Sequence, residues 1–490
     1  MASLLSKTNF LRGLQCYKYL WTAAHEPKGI PATDAATQFT FDQGHEVGEL
    51  AKKLFPTGID IPTGDFSANI RITRENMLSG RPLFEAGLMA GTIFCRPDIL
   101  DPAGTGEWDI IEVKSSTGVK DINIWDVAFQ RLCCQSLGMK IRACRVARIN
   151  NQYVRQGEID PRQLFTIEDV TERVNVYSEG LSRRVDEMVA VMRRKQCPEV
   201  GIGPYCGDPY PCPLQPACWA FLPEHSIFDL YYGGKKCFEL FKNGVTGIAD
   251  IPADYELNGK QQIQVNSVCG GEEYVDRLEI QSFLDLLQYP IYYLDFETFG
   301  SALPLFDGTR PFQTIPFQFS VHMVPHIGGE VAHFSYLADG RGDPRPALAA
   351  GLREVLGDSG SIVAYSAIFE KSVLNDLAEA LPQYRAWVDG LQERIVDLLK
   401  PFSNFHYYHP GQRGSASLKN VMPALTGISY EGLAINDGRV AAAAYMAATC
   451  GETTEDERRS IRQALEEYCG QDSGGMVEII NRLTAIVAQD

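Results

Sequence analysis

Three cysteines in a proline-rich stretch place the strongest local constraint on the folding of this sequence. Cys206, Cys212 and Cys218 are spaced six residues apart, and prolines interrupt the chain between them. Proline lacks an amide hydrogen, so the stretch favours neither a helix nor a strand ladder, and another interaction has to order it. A [4Fe–4S] cluster, which takes four cysteine thiolates, fits this spacing. Zinc fits less well because the close C-x-x-C pairs of structural zinc sites are missing, and unliganded thiols are the third interpretation.

Composition excludes several classes of protein. The 490 residues suffice for roughly two to four domains, and 45% hydrophobic with 22% charged residues is ordinary for a globular protein. We find neither a signal peptide nor a run of about eighteen apolar residues, so we expect a cytoplasmic protein without a membrane span. The net charge of −17 argues against a general nucleic-acid coat protein, but it does not argue against an enzyme whose clustered carboxylates bind divalent metals.

The pattern of apolar residues divides the chain into three parts. Residues 1–222 contain the first group of motifs, residues 223–284 have the composition of a connector, and residues 285–490 contain the second group. Predicted strands and helices alternate in both outer parts, which indicates an α/β fold class.

Several predicted elements bear on the motifs. In the first part, residues 93–100 and 109–114 have the character of strands, and residues 124–137 have helical spacing. Residues 170–194 are predicted to form one long amphipathic helix. A final helical region is predicted to begin near Thr454.

The two predicted strands of the first part bring two carboxylates and a lysine together. Asp98 follows Pro97 in the first strand, and Glu112 and Lys114 occupy alternate positions of the second. Alternate residues of a strand share a face, so Glu112 and Lys114 point the same way, and hairpin pairing brings Asp98 alongside them. Two carboxylates bind Mg²⁺ or Mn²⁺, and a lysine beside them positions or activates the attacking water. An ordinary hairpin with surface charges is the alternative interpretation, because a bare E-x-K motif is common.

The order of motifs around this hairpin resembles the RecB-like branch of the PD-(D/E)xK nucleases. A histidine lies on a predicted helix upstream, and a glutamine lies on the helix that follows the E-x-K strand. The resemblance implies a restriction-endonuclease-like domain with three metal ligands, a catalytic lysine, and a glutamine that supports the site or contacts DNA. These residues are His45, Asp98 and Glu112 for the metal, then Lys114, and then Gln130. One departure from the family pattern is Cys134, which stands where the last motif has tyrosine.

The distribution of cysteines has a counterpart in the same group of enzymes. One cysteine before the nuclease core and three after it resemble the arrangement in AddB-type nucleases and in the CRISPR-associated RecB-like nucleases. The resemblance implies a [4Fe–4S] cluster that clamps the chain ends of the domain, held by Cys16, Cys206, Cys212 and Cys218. Cys197 is a spare that can replace one of them.

A second group of acidic residues begins in an apolar strand. Asp295 and Glu297 alternate there, so both carboxylates lie on one face, which is costly without a counter-ion. Glu370 follows at the passage from a predicted strand to a helix. Tyr468 and Asp472 lie one helical turn apart near the end of the chain. A site for two metal ions needs such carboxylates. Taken alone, Tyr468 and Asp472 have a surface pair as their alternative interpretation.

This order of D-x-E, a middle acidic residue and Y-x-x-x-D resembles the DnaQ-like (DEDD) 3′–5′ exonucleases in their tyrosine-bearing form. The resemblance implies an RNase-H-like domain in which Tyr468 orients the attacking water. The implied ligands of its two metal ions are Asp295, Glu297, Glu370 and Asp472. This sequence departs from the family pattern at two positions of the middle motif. The motif usually ends in aspartate, where this sequence has Glu370, and its usual asparagine is either replaced by Ser366 or absent. Asp397 lies where such folds often place a further acid at the end of a strand.

The combination of both parts resembles an uncharacterised bacterial family that fuses a RecB-like nuclease to an RNase-H-like exonuclease domain. The leading hypothesis is a metal-dependent nuclease that acts on DNA ends or single strands in repair, recombination or defence. Its expected cofactors are a [4Fe–4S] cluster and Mg²⁺ or Mn²⁺. Two alternatives stay open, a nucleic-acid-binding or assembly protein with a degenerate exonuclease domain, and an exonuclease whose substrate is RNA.

Overall fold

A computed structural model gives the fold and describes residues 4–451 and 453–489. The chain forms two compact units. Each unit combines helices with sheets in which parallel and antiparallel pairs of strands occur together. This architecture confirms the predicted α/β fold class.

The two units are not continuous in sequence. The first consists of Met1–Phe221 together with Ser301–Gln313, and the second consists of Leu222–Gly300 together with Thr314–Asp490. Residues 223–284, which were predicted to be a connector, therefore fall within the second unit.

Strands and helices alternate along the first unit. Its strands are β1 (Leu5–Ser6), β2 (Ile59–Asp60), β3 (Leu83–Phe84), β4 (Leu88–Ala90), β5 (Ile93–Cys95), β6 (Ile99–Gly104), β7 (Glu107–Lys114), β8 (Lys140–Ile149) and β9 (Phe165–Asp169). Its helices are α1 (Lys7–Gln15), α2 (Tyr17–His25), α3 (Ala35–Lys52), α4 (Phe66–Asn76), α5 (Asp121–Ser136), α6 (Pro161–Leu164), α7 (Thr171–Ser178), α8 (Leu181–Met192) and α9 (Gln215–Trp219).

The main sheet of the first unit has the strand order β2-β3-β6-β7-β8-β9. β6 and β7 form an antiparallel hairpin in which Ile99 pairs with Ile111. β7 and β8 run parallel, and α5 lies between them in sequence. Parallel neighbours need a crossover connection, and α5 provides it. A smaller sheet has the order β1-β5-β4.

β7 presents alternate residues to two hydrophobic cores. Ile110 packs in the core that contains the apolar residues of α5, whereas Ile111 packs with Val47 of α3. Glu112 and Lys114 follow Ile110 by two and four positions, so they point toward the same face as Ile110. Side chains of α5 therefore meet these two residues.

Two predicted elements of the first unit are each broken in two. The predicted strand 93–100 consists of β5 and β6, and Pro97 lies in the gap because it cannot donate a ladder hydrogen bond. Asp98 consequently lies between strands rather than inside one. The predicted helix 170–194 consists of α7 and α8, because Gly180 between them has a φ of 71° and a right-handed helix requires a negative φ.

The second unit begins with helices and then alternates strands and helices. Its strands are β10 (Tyr274–Val275), β11 (Ile291–Phe299), β12 (Ile315–Val324), β13 (Ala332–Leu337), β14 (Ser361–Ala364), β15 (Ile395–Asp397) and β16 (Tyr407–Tyr408). Its helices are α10 (Lys235–Lys242), α11 (Gly259–Gly270), α12 (Arg277–Leu284), α13 (Arg345–Val355), α14 (Ala367–Ala380), α15 (Arg385–Gln392), α16 (Lys400–Ser403), α17 (Leu418–Thr426), α18 (Gly438–Cys450) and α19 (Glu455–Ala488). No helix within the described residues combines the length and the apolar character needed to cross a membrane.

The main sheet of the second unit has the strand order β13-β12-β11-β14-β15, with β11 at its centre. β11 runs antiparallel to β12 and parallel to β14. Its first four residues are all buried, which is typical of a strand covered on both faces. The central strand thus carries the D-x-E motif.

The two faces of β11 meet different helices. Tyr293 packs in the core that contains Met476 of α19, whereas Leu294 packs in the core formed with α13 and α14. Asp295 and Glu297 lie two and four residues after Tyr293, so both carboxylates point to the face that α19 covers. The predicted start of α19 is confirmed, because the Thr454 hydroxyl caps its first turn.

Candidate functional site

The first group of candidate residues surrounds the buried carboxylate of Glu112 near the end of β7. Its Oε1 atom lies 2.8 Å from Nζ of Lys114 and 2.8 Å from Nζ of Lys7. Its Oε2 atom accepts a hydrogen bond of 2.6 Å from Nε2 of Gln130. Burial alone raises the pKa of Glu112, but Lys114, Lys7 and Gln130 outweigh burial and hold this pKa well below its usual range. The side chain is therefore charged and firmly oriented at neutral pH.

Asp98 lies beside Glu112 in the gap before β6. Its Oδ2 atom accepts a hydrogen bond of 2.7 Å from the backbone amide of Val113, which fixes the carboxyl group against β7. Burial and the neighbouring charge of Glu112 raise the pKa of Asp98 to about 7. The Asp98 carboxyl group is therefore only partly ionised at neutral pH unless a further cation approaches.

Asp126 on α5 completes this group, although no predicted motif contained it. Its Oδ2 atom lies 2.8 Å from Nζ of Lys114, and its Oδ1 atom accepts a hydrogen bond of 2.8 Å from Gln130. Burial lowers the pKa of Lys114, but Asp126 and Glu112 outweigh burial and raise this pKa above its ordinary value. The i,i+4 spacing of Asp126 and Gln130 on a helix is the sequence signal that identifies Asp126.

Lys7 and Glu85 reach the group from elements that are remote in sequence. Lys7 lies in the first turn of α1, and its Nζ atom is 3.7 Å from Oδ2 of Asp126. Glu85 is half-buried between β3 and β4, and burial raises its pKa while Arg96 and Lys7 act in the opposite direction. Neither residue carries a local sequence signal, because only folding brings these elements beside β7.

His45 stands apart from this group. Its side chain is exposed on α3 and forms no hydrogen bond or ion pair with another described residue. The core that contains α3 lies against the Ile111 face of β7. Cys134, at the position of the family tyrosine, is fully buried in the core that contains α5. The structure thus brings Asp98 together with Glu112, Lys114 and Gln130, and leaves His45 without a contact to them.

The predicted cluster cysteines line one small cavity in the first unit. The four residues at this cavity are Cys16, Cys206, Cys212 and Cys218. Cys16 joins α1 to α2, and the amide of Cys212 donates a hydrogen bond of 2.8 Å to the carbonyl of Cys206. All four thiols are free of disulfide bonds.

The spacing of these thiols does not suit a single ion. Among the described residues, no three cysteines have sulfur atoms that all lie within 4.8 Å of one another. Lys18 lies at the same cavity, and its hydrogen bond with Cys218 raises the Lys18 pKa. Cys197, the predicted spare, is half-buried; burial raises its pKa, which is also affected by Lys18 and Cys16. The spare thiol therefore lies near the cavity.

The second group of candidate residues lies where β11 meets α19. Oxygen atoms of Asp295, Glu297 and Asp472 lie within 4.8 Å of one another. Glu297 and Asp472 are buried, and Asp295 is half-buried. The thiol of Cys469, also on α19, lies 3.3 Å from Oδ2 of Asp295. Two carboxylates of the central strand and one of the facing helix thus form a single acidic cluster.

Glu370 approaches this cluster from the first turn of α14. Its side chain is buried, and its charge acts on Asp295. Its Oε2 atom has no hydrogen-bond partner in the part of the chain that the structure describes. Ser366 precedes α14 with a φ of 67°. Oδ1 of Asp397 accepts hydrogen bonds of 3.1 Å from the Ser366 amide and 3.0 Å from the Leu399 amide. Asp397 therefore orders the turn that leads to Glu370.

Burial raises the pKa of every carboxyl group in the second cluster, and repulsion by other acids of the cluster adds to this for Asp295 and Glu297. Burial and the charge of Asp472 raise the pKa of Glu297 to about 8, and burial raises the pKa of Glu370 to about 8. Burial also raises the pKa of Asp472 to about 6. The pKa of Asp295 lies well above its usual value because of burial and the three other acids. The cluster is therefore short of positive charge.

Lys419 on α17 is a cation beside these acids. Its Nζ atom lies 3.5 Å from Oδ2 of Asp437 and 5.6 Å from the centre of the Tyr468 ring. The Tyr430 hydroxyl donates a hydrogen bond to Oδ1 of Asp472, and Tyr468 also hydrogen-bonds to Asp472. Lys419 and Tyr430 had no motif in the sequence, because they belong to a segment that precedes α19 and meets it only in the folded unit.

Residues 292–417 match a protein family described as a domain of unknown function, DUF2779. The matched segment begins in β11 and ends before α17, so it contains Asp295, Glu297 and Glu370 but neither Tyr468 nor Asp472.

A protein of Mycoplasma pneumoniae (strain ATCC 29342 / M129) described as the uncharacterized protein MG366 homolog is 27% identical over 206 residues. The alignment covers 38% of this chain and 31% of that relative, so the chain spans about a third of the length of the relative. Neither this description nor that of the matching family names an activity.

Proposed function

We propose that the chain is a metal-dependent nuclease with one phosphodiester-hydrolysing site in each unit, and that DNA ends or single strands are its substrate. The observation that carries the proposal is the cluster of Asp295, Glu297 and Asp472, whose ligand oxygens lie within 4.8 Å of one another. Gathering charged carboxylates in a buried place is costly without a counter-ion. A pair of divalent cations relieves that cost, and such a pair is the usual centre of phosphodiester hydrolysis.

The donors of the second cluster suit Mg²⁺ or Mn²⁺, because both ions prefer carboxylate oxygens. Asp295, Glu297, Glu370 and Asp472 would hold the ions, and the partnerless Oε2 of Glu370 is an oxygen ready for that role. When bound, divalent ions polarise the phosphate and lower the pKa of a coordinated water. The hydrogen bonds from Tyr430 and Tyr468 orient Asp472.

The first site supports the same class of reaction with a different set of groups. Asp98 and Glu112 would hold the metal, since the two carboxyl groups lie close enough for the charge of Glu112 to raise the pKa of Asp98. Gln130 orients the Glu112 carboxylate through the hydrogen bond of 2.6 Å. Lys114 is kept charged by Asp126 and Glu112, so it can hold the attacking water or the scissile phosphate in place.

The architecture of each unit supports the finer fold assignments that we propose. The P-D residues directly precede β6, and its hairpin partner β7 carries the E-x-K residues and is followed by α5 and a parallel strand, as a PD-(D/E)xK domain requires. A five-stranded sheet whose central strand bears D-x-E, with the Y-x-x-x-D helix on the same face, suits an RNase-H-like exonuclease domain.

We also propose that the cysteine-lined cavity holds a [4Fe–4S] cluster. Such a cluster lies between its ligands, so its cysteine sulfurs stay farther apart than around a single ion. The four free thiols at one cavity, too widely spaced for a single ion, suit this arrangement. The same two chain segments are already joined by Gln15, whose side chain donates a hydrogen bond of 3.0 Å to the carbonyl of Tyr205. A cluster there would tie the start of the unit to its end.

A cleavage assay with end-labelled DNA and RNA, each single-stranded and duplex, tests the nuclease proposal. We expect Mg²⁺- or Mn²⁺-dependent products from the wild-type protein. Lys114→Ala and Asp295→Asn should each remove part of the activity, by roughly 100-fold or more for the affected site, and the double variant should be inactive. Lys140→Ala and Asp254→Asn replace exposed residues and serve as matched controls.

The pattern of losses separates the competing functions. Unchanged cleavage in both variants would overturn the nuclease proposal. If Lys114→Ala removes all activity and Asp295→Asn removes none of it, the result would favour a second unit that binds or docks without cleaving. Cleavage of RNA alone would mean that the substrate is RNA instead of DNA, since the same carboxylate chemistry serves both nucleic acids.

A further inference from the structure

A pocket of about 430 Å³ opens beside Cys16 in the first unit, apart from the proposed catalytic groups. Its lining comes from the α1–α2 junction, from α5, from the start of α8 and from the chain near Tyr205. Leu14 and Met188 supply apolar surface, and Trp125 and Arg184 supply an aromatic ring and a cation. The volume falls in the range of roughly 300–1,000 Å³ that is typical of small-ligand sites.

The cation and the aromatic ring of this pocket are in contact with each other. The guanidinium carbon of Arg184 lies 4.8 Å from the centre of the Trp125 ring, a cation–π distance. Among the described residues, no carboxylate forms an ion pair with Arg184. Its neighbour Arg183, in contrast, lies 3.7 Å from Glu187, which also accepts a hydrogen bond of 3.2 Å from Tyr17. The N–H groups of Arg184 are therefore available to an anion.

The start of α8 adds further donors to the same pocket. Gly180 and Leu181 line it, and Gly180 occupies the N-cap position without a side-chain cap. The first amide groups of a helix have no partner within the helix, and the positive end of its dipole favours an anion. Arg184 lies one turn further along the same helix. An anion in the pocket would thus meet a guanidinium group and backbone amides together.

The pocket is joined to the first site through α5. Trp125 immediately precedes Asp126, which holds Lys114 through a contact of 2.8 Å. A ligand that reaches Trp125 therefore lies against the helix whose Asp126 and Gln130 contact Lys114 and Glu112. A nucleotide within a strand combines a ring that can stack with a negatively charged linkage. It is also the class of ligand on which the first site would act.

We infer that this pocket binds one nucleotide of the single-stranded nucleic acid that the Glu112–Lys114 site cleaves, an inference that rests on the proposed nuclease function. The base stacks on the Arg184–Trp125 pair, because guanidinium planes and aromatic rings both stack on bases. The phosphodiester group accepts hydrogen bonds from Arg184 and from the amides at the start of α8.

Fluorescence anisotropy with a labelled single-stranded DNA oligonucleotide tests the inference. EDTA in the buffer prevents cleavage, so binding is measured apart from catalysis. Arg184→Gln should weaken binding, and the slope of log affinity against log salt concentration should become shallower by about 0.7, the value for one lost phosphate contact on a single strand. Trp125→Leu should weaken binding roughly 5- to 100-fold. Arg162→Gln, a substitution of an exposed arginine on α6, should leave both quantities unchanged.

The outcomes are distinct. An Arg184→Gln protein with wild-type affinity and wild-type salt slope would overturn the inference even if Lys114-dependent cleavage is established. Displacement of the oligonucleotide by dAMP at an equal nucleotide concentration would also overturn it, because the pocket would then be a mononucleotide site. A wild-type protein that binds through Arg184 but cleaves nothing would leave the pocket as a strand-binding site and refute the nuclease proposal on which its role rests.

Discussion

The Nζ atom of Lys7 lies 2.8 Å from Oε1 of Glu112, although 105 residues separate the two in sequence. Lys114 reaches the same oxygen over 2.8 Å. Two ammonium groups on one carboxylate oxygen supply the positive charge that a divalent ion would supply at this place. We therefore expect Lys7 and a bound metal to substitute for each other electrostatically.

Lys7→Met should lower the free energy of unfolding of the protein in EDTA by about 1–3 kcal/mol, because a buried carboxylate loses a charged hydrogen-bond donor. The difference from the wild-type protein should shrink in saturating Mg²⁺, because the ion replaces the missing charge. Urea unfolding under both conditions measures this difference. Lys140→Met, an exposed substitution on the same sheet beside Glu107, is the control. An equal loss of stability with and without Mg²⁺ would argue that the metal does not replace the charge of Lys7.

The protein in EDTA should lose stability as the pH rises from about 5 to about 8. Burial raises the pKa of Glu297 and of Glu370 to about 8, whereas an exposed glutamate titrates near about 4.3. Between these values the folded protein binds protons that the unfolded chain has already released, so a rising pH disfavours the folded state. Urea unfolding at several pH values measures the slope.

Two controls isolate the contribution of the acidic cluster to this slope. Glu297→Gln should flatten the fall in stability, whereas Asp254→Asn should not, because Asp254 is exposed. Mg²⁺ should reverse the slope, because metal and protons compete for the same oxygens. A slope identical in the wild-type protein and in Glu297→Gln would mean that the carboxyl group of Glu297 is not protonated in the folded state.

Glu370→Gln should change activity and stability in opposite directions. The substitution removes a metal ligand, so cleavage by the second site, measured in a Lys114→Ala background, should fall at least about tenfold. In EDTA the protein should be equally or more stable, because a buried acid without a partner on Oε2 becomes a neutral amide. Glu379→Gln, on the exposed side of the same helix, should change neither quantity. Unaltered cleavage in Glu370→Gln would mean that Glu370 is not a metal ligand of the second site.

Cys212→Ser should abolish the brown colour that we expect of the anaerobically purified protein. The cluster loses one of its thiolate ligands, so the broad visible absorption and the bound iron should both decline. Cys269→Ser, which changes an exposed thiol outside the cavity, should retain both. Iron and sulfide per chain, together with the visible spectrum, measure the effect. A colourless wild-type protein that contains stoichiometric zinc would refute the iron–sulfur assignment.

Local spacing was sufficient to predict part of each site. The alternation of side chains along a strand depends on the backbone alone, so Glu112 and Lys114 had to share a face, as did Asp295 and Glu297. The capping hydroxyl of Thr454 is likewise a local signal, and α19 begins immediately after it. These features hold wherever the strands and helices are placed.

Other features depended on how distant elements meet. Lys7 and Tyr430 contact the predicted carboxylates, and Asp126 contacts Lys114 and Gln130. All three lie on segments whose neighbours are set by strand order and helix packing. The exposed position of His45 on α3 has the same origin, because the family motif specifies a helix but not which way its side chains point.

The cysteine stretch shows which features follow from local sequence and which follow only from the folded chain. Prolines and spacing indicated that Cys206, Cys212 and Cys218 need an ordering partner, and this followed from local backbone chemistry. Only the folded chain brings Cys16 to the same cavity, across about 190 intervening residues. The physical reason is that local sequence limits backbone conformation, whereas the partners of a side chain are chosen by long-range packing and by the balance of buried charge.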